Sequence, residues 1–361
     1  MQIHQVLVSA SPADAITDSA LRLRTLLREV GPSEIYALHV HADLATEVRR
    51  LHHRSPARER PGGAQDVLVF HASIGQPEVI SFLLDQGDRI VLMYHNITPA
   101  SYLTATDPSF AALLDAGRSE LRYLSDKVDL ALAVSHYNAE ELTGMGFPDV
   151  RVSPLLVDVR GPGGVAVDTG MVGELDRVLG PGPTLLYVGQ LLPHKRVDLL
   201  LQAFHVLSTH LVPEARLVVA GIGRLAGYRR ALEGLRQELA LLKATLTGHI
   251  SPGELAACWS VADVFVTASE HEGFCMPLAE AMAHRVPIVA RRCAAIPETV
   301  GDAGLLLDPD AGPELLAEGM AEVLQNQALR RELDRRAAER LPAFHPDRAA
   351  ETFLRHLLSV A

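Results

Sequence analysis

Short runs of β-branched and aliphatic residues alternate with longer amphipathic segments along the whole chain. In the first half the apolar runs fall at 3–8, 34–40, 66–70, 89–93, 130–134 and 151–152. Between them, apolar positions three and four apart predict helices near 18–30, 77–86, 110–125 and 139–145. Such strand–helix alternation predicts parallel sheets covered by helices, because a parallel crossover must carry the chain back along a face of the sheet. The stretch 51–65, with its His, Arg, Pro and Gly, reads as a mobile loop.

Glycine and proline cluster at 161–164 (GPGG) and 180–183 (GPGP), leaving little scope for a helix or strand. A domain boundary is expected there. A second alternating series follows, with strands at 184–188, 216–220, 244–247, 264–267 and 288–290 and helices at 197–211, 228–241, 253–260 and 277–283. The segment 314–361 is helical in pattern, broken near Pro342 and Pro346. The reading is α/β, with two similar domains, 1–165 and 166–341, facing each other across a cleft.

The 361 residues carry 33 basic against 44 acidic groups, a net charge of −11 that disfavours nucleic acid and anionic lipid surfaces as bulk partners. Cys258, Cys275 and Cys293 are the only cysteines; with no CxxC pair they offer neither a disulfide framework nor a zinc ribbon, which suits a reducing cytoplasm. The first 15 residues lack a basic segment followed by a long apolar one, and no later run has the length of a membrane helix. A cytoplasmic protein with at most peripheral membrane contact is expected.

The richest chemistry lies in SEHEGFCMPLAEAMAHRVPIVA, residues 269–290, just after an apolar strand. Pro277 suits the first helical position, where its missing N–H is not needed. Backbone amides of Gly273, Phe274, Cys275 and Met276 would then sit at a helix N-terminus, whose free N–H groups and positive dipole end attract anionic or hydroxyl-rich ligands. Glu272 and Glu280 flank this start, and two carboxylates on one ligand is the favoured reading over two solvated charges. The Cys275 thiol is read as packing, not as a nucleophile. In LLYVGQLLPHKRVDLLLQAF, 185–204, Lys195 is one of only three lysines and sits ahead of an amphipathic helix, a natural place for a cation to meet a diphosphate. In RIVLMYHNITPASYL, 89–103, His95 follows a buried-type strand, at the sheet edge where parallel sheets bind ligands.

The EGF-x-x-P loop, with Glu280 completing an E-x7-E pattern on Glu272, resembles the donor-site signature of retaining glycosyltransferases of the GT-B fold, in family 4 (the group 1 transferases). The resemblance covers essentially the whole chain. Gly189 and Lys195 match the family's diphosphate loop G-R-x-x-x-x-K-G, while Gln190 replaces its arginine and Arg196 its final glycine; Arg196 is expected to supply the charge that Gln190 lacks. HNITP, DAIT (14–17) and SHYNAEEL (135–142) resemble motifs of a bacterial subgroup. The first loop, SPADAIT, lacks the glycine pair that many members carry. The resemblance implies that Glu272 lies beside the transferred sugar and Glu280 binds the ribose. It implies that amides of Phe274, Cys275 and Met276 meet sugar hydroxyls or phosphate, that His95 contacts the sugar, and that the final helix, about 342–361, completes the first domain. The implied donor is a nucleoside diphosphate sugar, the acceptor a carbohydrate or small molecule, and no cofactor or metal is expected.

Two further matches are set aside. Asp308-Pro309-Asp310 is formally D-x-D, yet reads as a solvated turn. Gly221-x-Gly223-x-x-Ala226 matches a dinucleotide fingerprint, but 244–247 runs into Gly248-His249 where that fingerprint expects an acid. The rival functions are a non-hydrolysing nucleotide-sugar epimerase, which would turn over donor without acceptor, and a catalytically silent nucleotide-sugar-binding protein.

Overall fold

The computed structural model describes residues 1–12, 14–51, 66–156, 159 and 161–360. The expected loop at 51–65 therefore lies outside the described residues, apart from Leu51. The chain divides into two units, Met1–Asp158 with Phe344–Ala361, and Val159–Ala343.

Unit 1 opens with β1 (Ile3–Ala10), buried at all but one position. Then come α1 (Ala15–Leu27), β2 (Ile35–Val40), β3 (Arg49–Arg50), β4 (Val67–Ala72), α2 (Pro77–Asp85), β5 (Arg89–Tyr94), α3 (Pro108–Leu124), β6 (Leu130–Ala133), α4 (His136–Gly144) and β7 (Val150–Val152). The sheet runs β3-β2-β1-β4-β5-β6-β7 with every pair parallel. Strands covered on both faces need continuous apolar runs instead of alternation, which is why IHQVLVSA and VLVFHA read as they do. The start of α1 is set by Asp14, whose carboxylate accepts from the Thr17 N–H at 2.9 Å, so DAIT is a helix cap. Strand order reverses between β1 and β4, and ligands of such sheets bind beyond the C-terminal ends of the strands at that reversal.

Unit 2 comprises α5 (Thr169–Leu179), β8 (Thr184–Val188), α6 (Val197–Val206), β9 (Arg216–Ala220), α7 (Ala226–Glu238), β10 (Ala244–Gly248), α8 (Pro252–Val261), β11 (Val264–Thr267), α9 (Met276–Ala283), β12 (Ile288–Arg291), α10 (Ile296–Val300), β13 (Gly304–Leu307), α11 (Pro313–Gln325) and α12 (Gln327–Arg340). Its sheet, β10-β9-β8-β11-β12-β13, is also wholly parallel, with the reversal between β8 and β11. Leu200 and Phe204 of α6 and Leu316 and Met320 of α11 share one buried cluster with Leu217, Val219, Val264 and Val266 of the sheet. Burying these side chains is worth about 2 kcal/mol each, which anchors the loops beyond β8 and β11 to a rigid base.

The chain then returns to unit 1 as α13 (Pro346–Leu358). Phe353 and Leu357 are buried, and the Arg151 guanidinium donates to Ser359 Oγ at 2.7 Å. The units divide at 158/159 and 343/344, whereas the sequence suggested 165/166 and 341/342. Gly161 explains part of the difference: a Cβ there would lie 2.7 Å from the Ala283 carbonyl, so this glycine rests against the end of α9 and belongs with unit 2. Four elements were unexpected, namely β3, α5, α10 and β13. The helix expected over 197–211 ends at Val206, its last five residues widening into a π-turn. Among the described residues no helix is long and apolar enough to cross a membrane.

Candidate active site

In unit 2 the loops leaving β8 and β11 face each other at the reversal of strand order. Lys195 ends a short 3-10 turn on the first loop, and Glu272 lies on the second. Lys195 Nζ donates to Glu272 Oε2 at 2.6 Å, with side chains only 18% and 10% exposed. Partial desolvation strengthens such a charge-assisted bond and leaves neither group cheap to strip of its partner. Sequence reasoning named both residues, and packing brings them together.

The loop from β8 has little room. Gly189 N–H donates to the Ala220 carbonyl at 3.0 Å and Leu191 N–H to Ile222 O at 2.9 Å, tying it to the loop after β9. A Cβ on Gly221 would fall 1.7 Å from the Gly189 carbonyl oxygen. That backbone contact gives Gly221 a reason to be glycine without any dinucleotide. Tyr187 lies beneath, its hydroxyl donating to the Gln190 carbonyl at 3.2 Å, and burial together with the Glu272 charge drives its phenol well above the usual range. It acts as a neutral strut.

Arg196 has φ 51° and bonds to Asp198 at 3.2 Å and to Glu270, which also meets Arg291 at 3.4 Å. This corrects the expectation that Arg196 supplies the cation missing at Gln190: its charge is already shared by two carboxylates.

The second loop is pinned from behind. Thr299 Oγ1 of α10 donates to the Phe274 carbonyl at 2.6 Å, and Ala295 N–H to Glu272 O at 3.2 Å. Cys275 caps α9 with φ 67°. Burial and the nearby Glu272 carboxylate push its thiol well above the ordinary value, so it stays protonated and inert. Pro277 is the second residue of α9, not the first; Met276 opens the helix. The proline still fits, since the second N–H likewise has no intrahelical acceptor. Glu280, half-buried on α9, has no hydrogen-bond or ion-pair partner among the described residues, and desolvation pushes its carboxyl up to about 7. A buried carboxyl kept without a partner is a poor stability choice and a good receptor for hydroxyl groups.

In unit 1, His95 follows β5 and Asn96 takes φ 85°. Asn96 Nδ2 donates to Asn138 Oδ1 at 2.9 Å, and Glu141 accepts from Tyr94 and pairs with Arg118, which also holds the Ile97 carbonyl at 2.6 Å. The SHYNAEEL segment thus buttresses the HNI turn. His95 Nε2 lies 2.9 Å from His71 Nδ1. Asp308 and Asp310 are exposed, and among the described residues no three His, Cys, Asp or Glu side chains cluster as a metal site.

Residues 178–340 match the family model described as "Glycosyl transferases group 1". This part of the chain is a group 1 glycosyl transferase domain. It is 32% identical over 193 residues to a GDP-mannose-dependent alpha-mannosyltransferase of Mycolicibacterium smegmatis, covering 52% of this chain and 47% of that protein. It is 28% identical over 230 residues to a GDP-mannose-dependent alpha-(1-6)-phosphatidylinositol monomannoside mannosyltransferase of Mycobacterium tuberculosis, covering 59% of this chain and 57% of that one. The chain thus spans about half the length of these curated relatives. The crystal structure of Anabaena HepE in complex with UDP and glucose superposes with a TM-score of 0.75 at 14% identity, covering 99% of this chain and all of that one. Both units are Rossmann-like, and the fold is GT-B.

Arg196 and Cys275, one on each of the loops leaving β8 and β11, both take left-handed conformations that cost a side-chain-bearing residue about 1 kcal/mol. Sequence reasoning missed Glu270, Arg291 and Thr299, whose partners lie on other loops. It also missed Gln5 and His71, for which the available signal was a polar residue inside an apolar strand.

Proposed function

We propose that this protein is a retaining hexosyltransferase that moves a hexose from a nucleoside diphosphate sugar to an acceptor hydroxyl without a metal ion. The observation that carries the reading is the Lys195–Glu272 pair at the strand-order reversal of unit 2, on the two loops that bear the family's donor motifs. The GDP-mannose dependence of the relatives supports GDP-mannose as the first donor to try, and the UDP complex of the HepE fold supports uridine donors as the second.

As the bond between the anomeric carbon and the diphosphate breaks, negative charge gathers on the leaving phosphate and the sugar becomes cation-like. Stabilisation must come from groups already in place. Lys195 supplies a cation to the diphosphate, helped by the positive dipole end at the start of α9, and Glu280 accepts hydroxyl groups of the ribose. Glu272, released from part of its bond to Lys195 when phosphate arrives, offers its carboxylate to the sugar. His95 is the unit 1 residue assigned to that sugar. Retention follows either from a same-face reaction, in which the leaving phosphate takes the acceptor proton, or from a glycosyl intermediate on Glu272. The acceptor is a carbohydrate or small molecule, lipid-linked precursors included, and the place of work is the cytoplasm.

The test is a thermal-shift screen of nucleoside diphosphate sugars, followed by mass spectrometry of products with candidate acceptors and NMR of the new anomeric centre. Donor consumed only with acceptor, giving the donor's own anomer, is the expected result; inversion or acceptor-independent isomerisation would overturn it. Turnover should also survive overnight chelation with EDTA, and full loss restored by Mg²⁺ or Mn²⁺ would remove the metal-free clause.

A further inference from the structure

Gln5, His71 and His95 form a line across three neighbouring strands of unit 1. Gln5 lies in β1, His71 in β4 and His95 directly after β5, with register pairs Leu7–His71 and His71–Met93 fixing the alignment. Gln5 and His71 are fully buried, His95 half-buried. The Gln5 amide has one orientation that satisfies both ends. Its Nε2 donates to the Ala20 carbonyl at 2.9 Å, an oxygen that only accepts, so its Oε1 faces His71. That oxygen also only accepts, so His71 Nε2, 3.0 Å away, carries the ring proton.

Burial holds His71 neutral, with its pKa driven down to about 3, so its Nδ1 is a bare lone pair. The atom facing it is His95 Nε2, at 2.9 Å. The two rings lie within 11° of a common plane with centroids 5.1 Å apart, a separation that at this N···N distance means edge-to-edge contact in the ring plane. His95 Nε2 is therefore the donor. His95 is neutral as well, since burial and the neighbouring His71 keep its pKa well below the ordinary value. Its one proton is spent on Nε2, and Nδ1 is left as an acceptor with no partner among the described residues.

We propose that Gln5 and His71 are positioning residues which lock His95 as its Nε2–H tautomer, so that His95 Nδ1 accepts a hydrogen bond from one hydroxyl of the donor sugar. The inference rests on the assignment of His95 to that sugar. It adds a rule of specificity. A hydroxyl donates into the lone pair and is favoured; a carboxylate there sets lone pair against lone pair, and a deoxy position leaves the nitrogen unmet. Neutral hexoses are thus selected over uronic acids and over the sugar lacking that one hydroxyl.

The tautomer is read directly by long-range ¹H–¹⁵N correlation spectra of protein labelled with ¹⁵N-histidine at neutral pH, His95 being identified by its absence in His95→Gln. The expected pattern is a protonated Nε2 and a pyridine-like Nδ1, collapsing toward a tautomer mixture in His71→Phe. In that variant kcat with GDP-mannose should fall about tenfold or more, nucleoside diphosphate affinity should hold, and discrimination against one singly deoxygenated donor should shrink by a similar factor. A protonated Nδ1 or an imidazolium at His95 in the parent protein would overturn the relay, and that measurement needs no variant to fold. Ring signals as expected but unchanged kcat and selectivity in His71→Phe would overturn the sugar contact. Failure of the transferase reading shows differently, as no turnover of any nucleotide sugar by the parent protein, and the ring signals still decide the relay.

Discussion

Lys195 and Glu272 are charged, mostly buried and 2.6 Å apart, so each sets the other's electrostatics. Lys195→Ala removes the cation assigned to the diphosphate and strands a carboxylate that has little water. We expect kcat/KM to fall by about 30-fold or more, roughly 2 kcal/mol of transition-state stabilisation, with a lowered melting temperature. The double variant Lys195→Met/Glu272→Gln should recover stability but not activity, which separates the structural part of the pair from the catalytic part. Unchanged kcat/KM in Lys195→Ala would remove the diphosphate assignment. Glu280 makes a prediction of opposite kind. Its folded pKa, about 7, exceeds its ordinary value of 4.5, so between these limits the folded chain holds a proton that the unfolded chain has lost. Stability from this group is full at low pH and is lost as pH rises through about 7, by at most about 3 kcal/mol. Glu280→Gln should flatten that part of the pH–stability curve measured by denaturant unfolding. Ribose hydroxyls bind the ionised carboxylate better, so nucleoside diphosphate affinity should rise over the same interval, and equal affinity across it would take Glu280 off the ribose.

At the scale of elements, the candidate site depends on two loops that approach to backbone contact. Gly221→Ala would drive a methyl group into the Gly189 carbonyl, and no side chain is available to move aside. The loop after β8, which carries Lys195, must shift; we expect about 3 kcal/mol of destabilisation and a larger fractional loss of nucleotide binding than of helicity, followed by calorimetry and circular dichroism. Retained affinity would mean that this loop does not hold the phosphates. Most elements were legible because strands packed on both faces must be continuous in apolar residues and helices must show period 3.6. The ones that escaped have physical reasons. β3 has two residues, α10 five, and α5 carries Gly170 and Gly173 between glycine–proline clusters, where propensity argues against the helix that packing secures. Pro277 was misjudged by one position, within the ordinary uncertainty of a helix end.

For the whole molecule, α13 is the clearest dependence of one unit on distant sequence. It is the last helix of the chain, yet it buries Phe353 and Leu357 in unit 1 and is held by Arg89 and Arg151. Truncation after Ala343 should therefore lower the unfolding transition of unit 1 by several degrees or abolish it, while unit 2 keeps its own; scanning calorimetry resolves the two, and an unaltered thermogram would show α13 to be dispensable. The amino-acid sequence by itself determined what is local: the alternation of strands and helices, the cap at Asp14, the glycines and the motif residues Lys195, Glu272, Glu280 and His95. The pairing of charges was decided only by tertiary structure. Lys195 meets Glu272 across 77 positions and Arg196 meets Glu270 across 74, so one of two adjacent cations answers to the motif glutamate Glu272 and the other is already neutralised. The tautomer of His95 hangs on Gln5, far away along the chain and two hydrogen bonds away in space. Propensity acts between neighbours along the chain, whereas Coulomb attraction, desolvation and hydrogen-bond polarity act through distances that exist only once the sheets have formed.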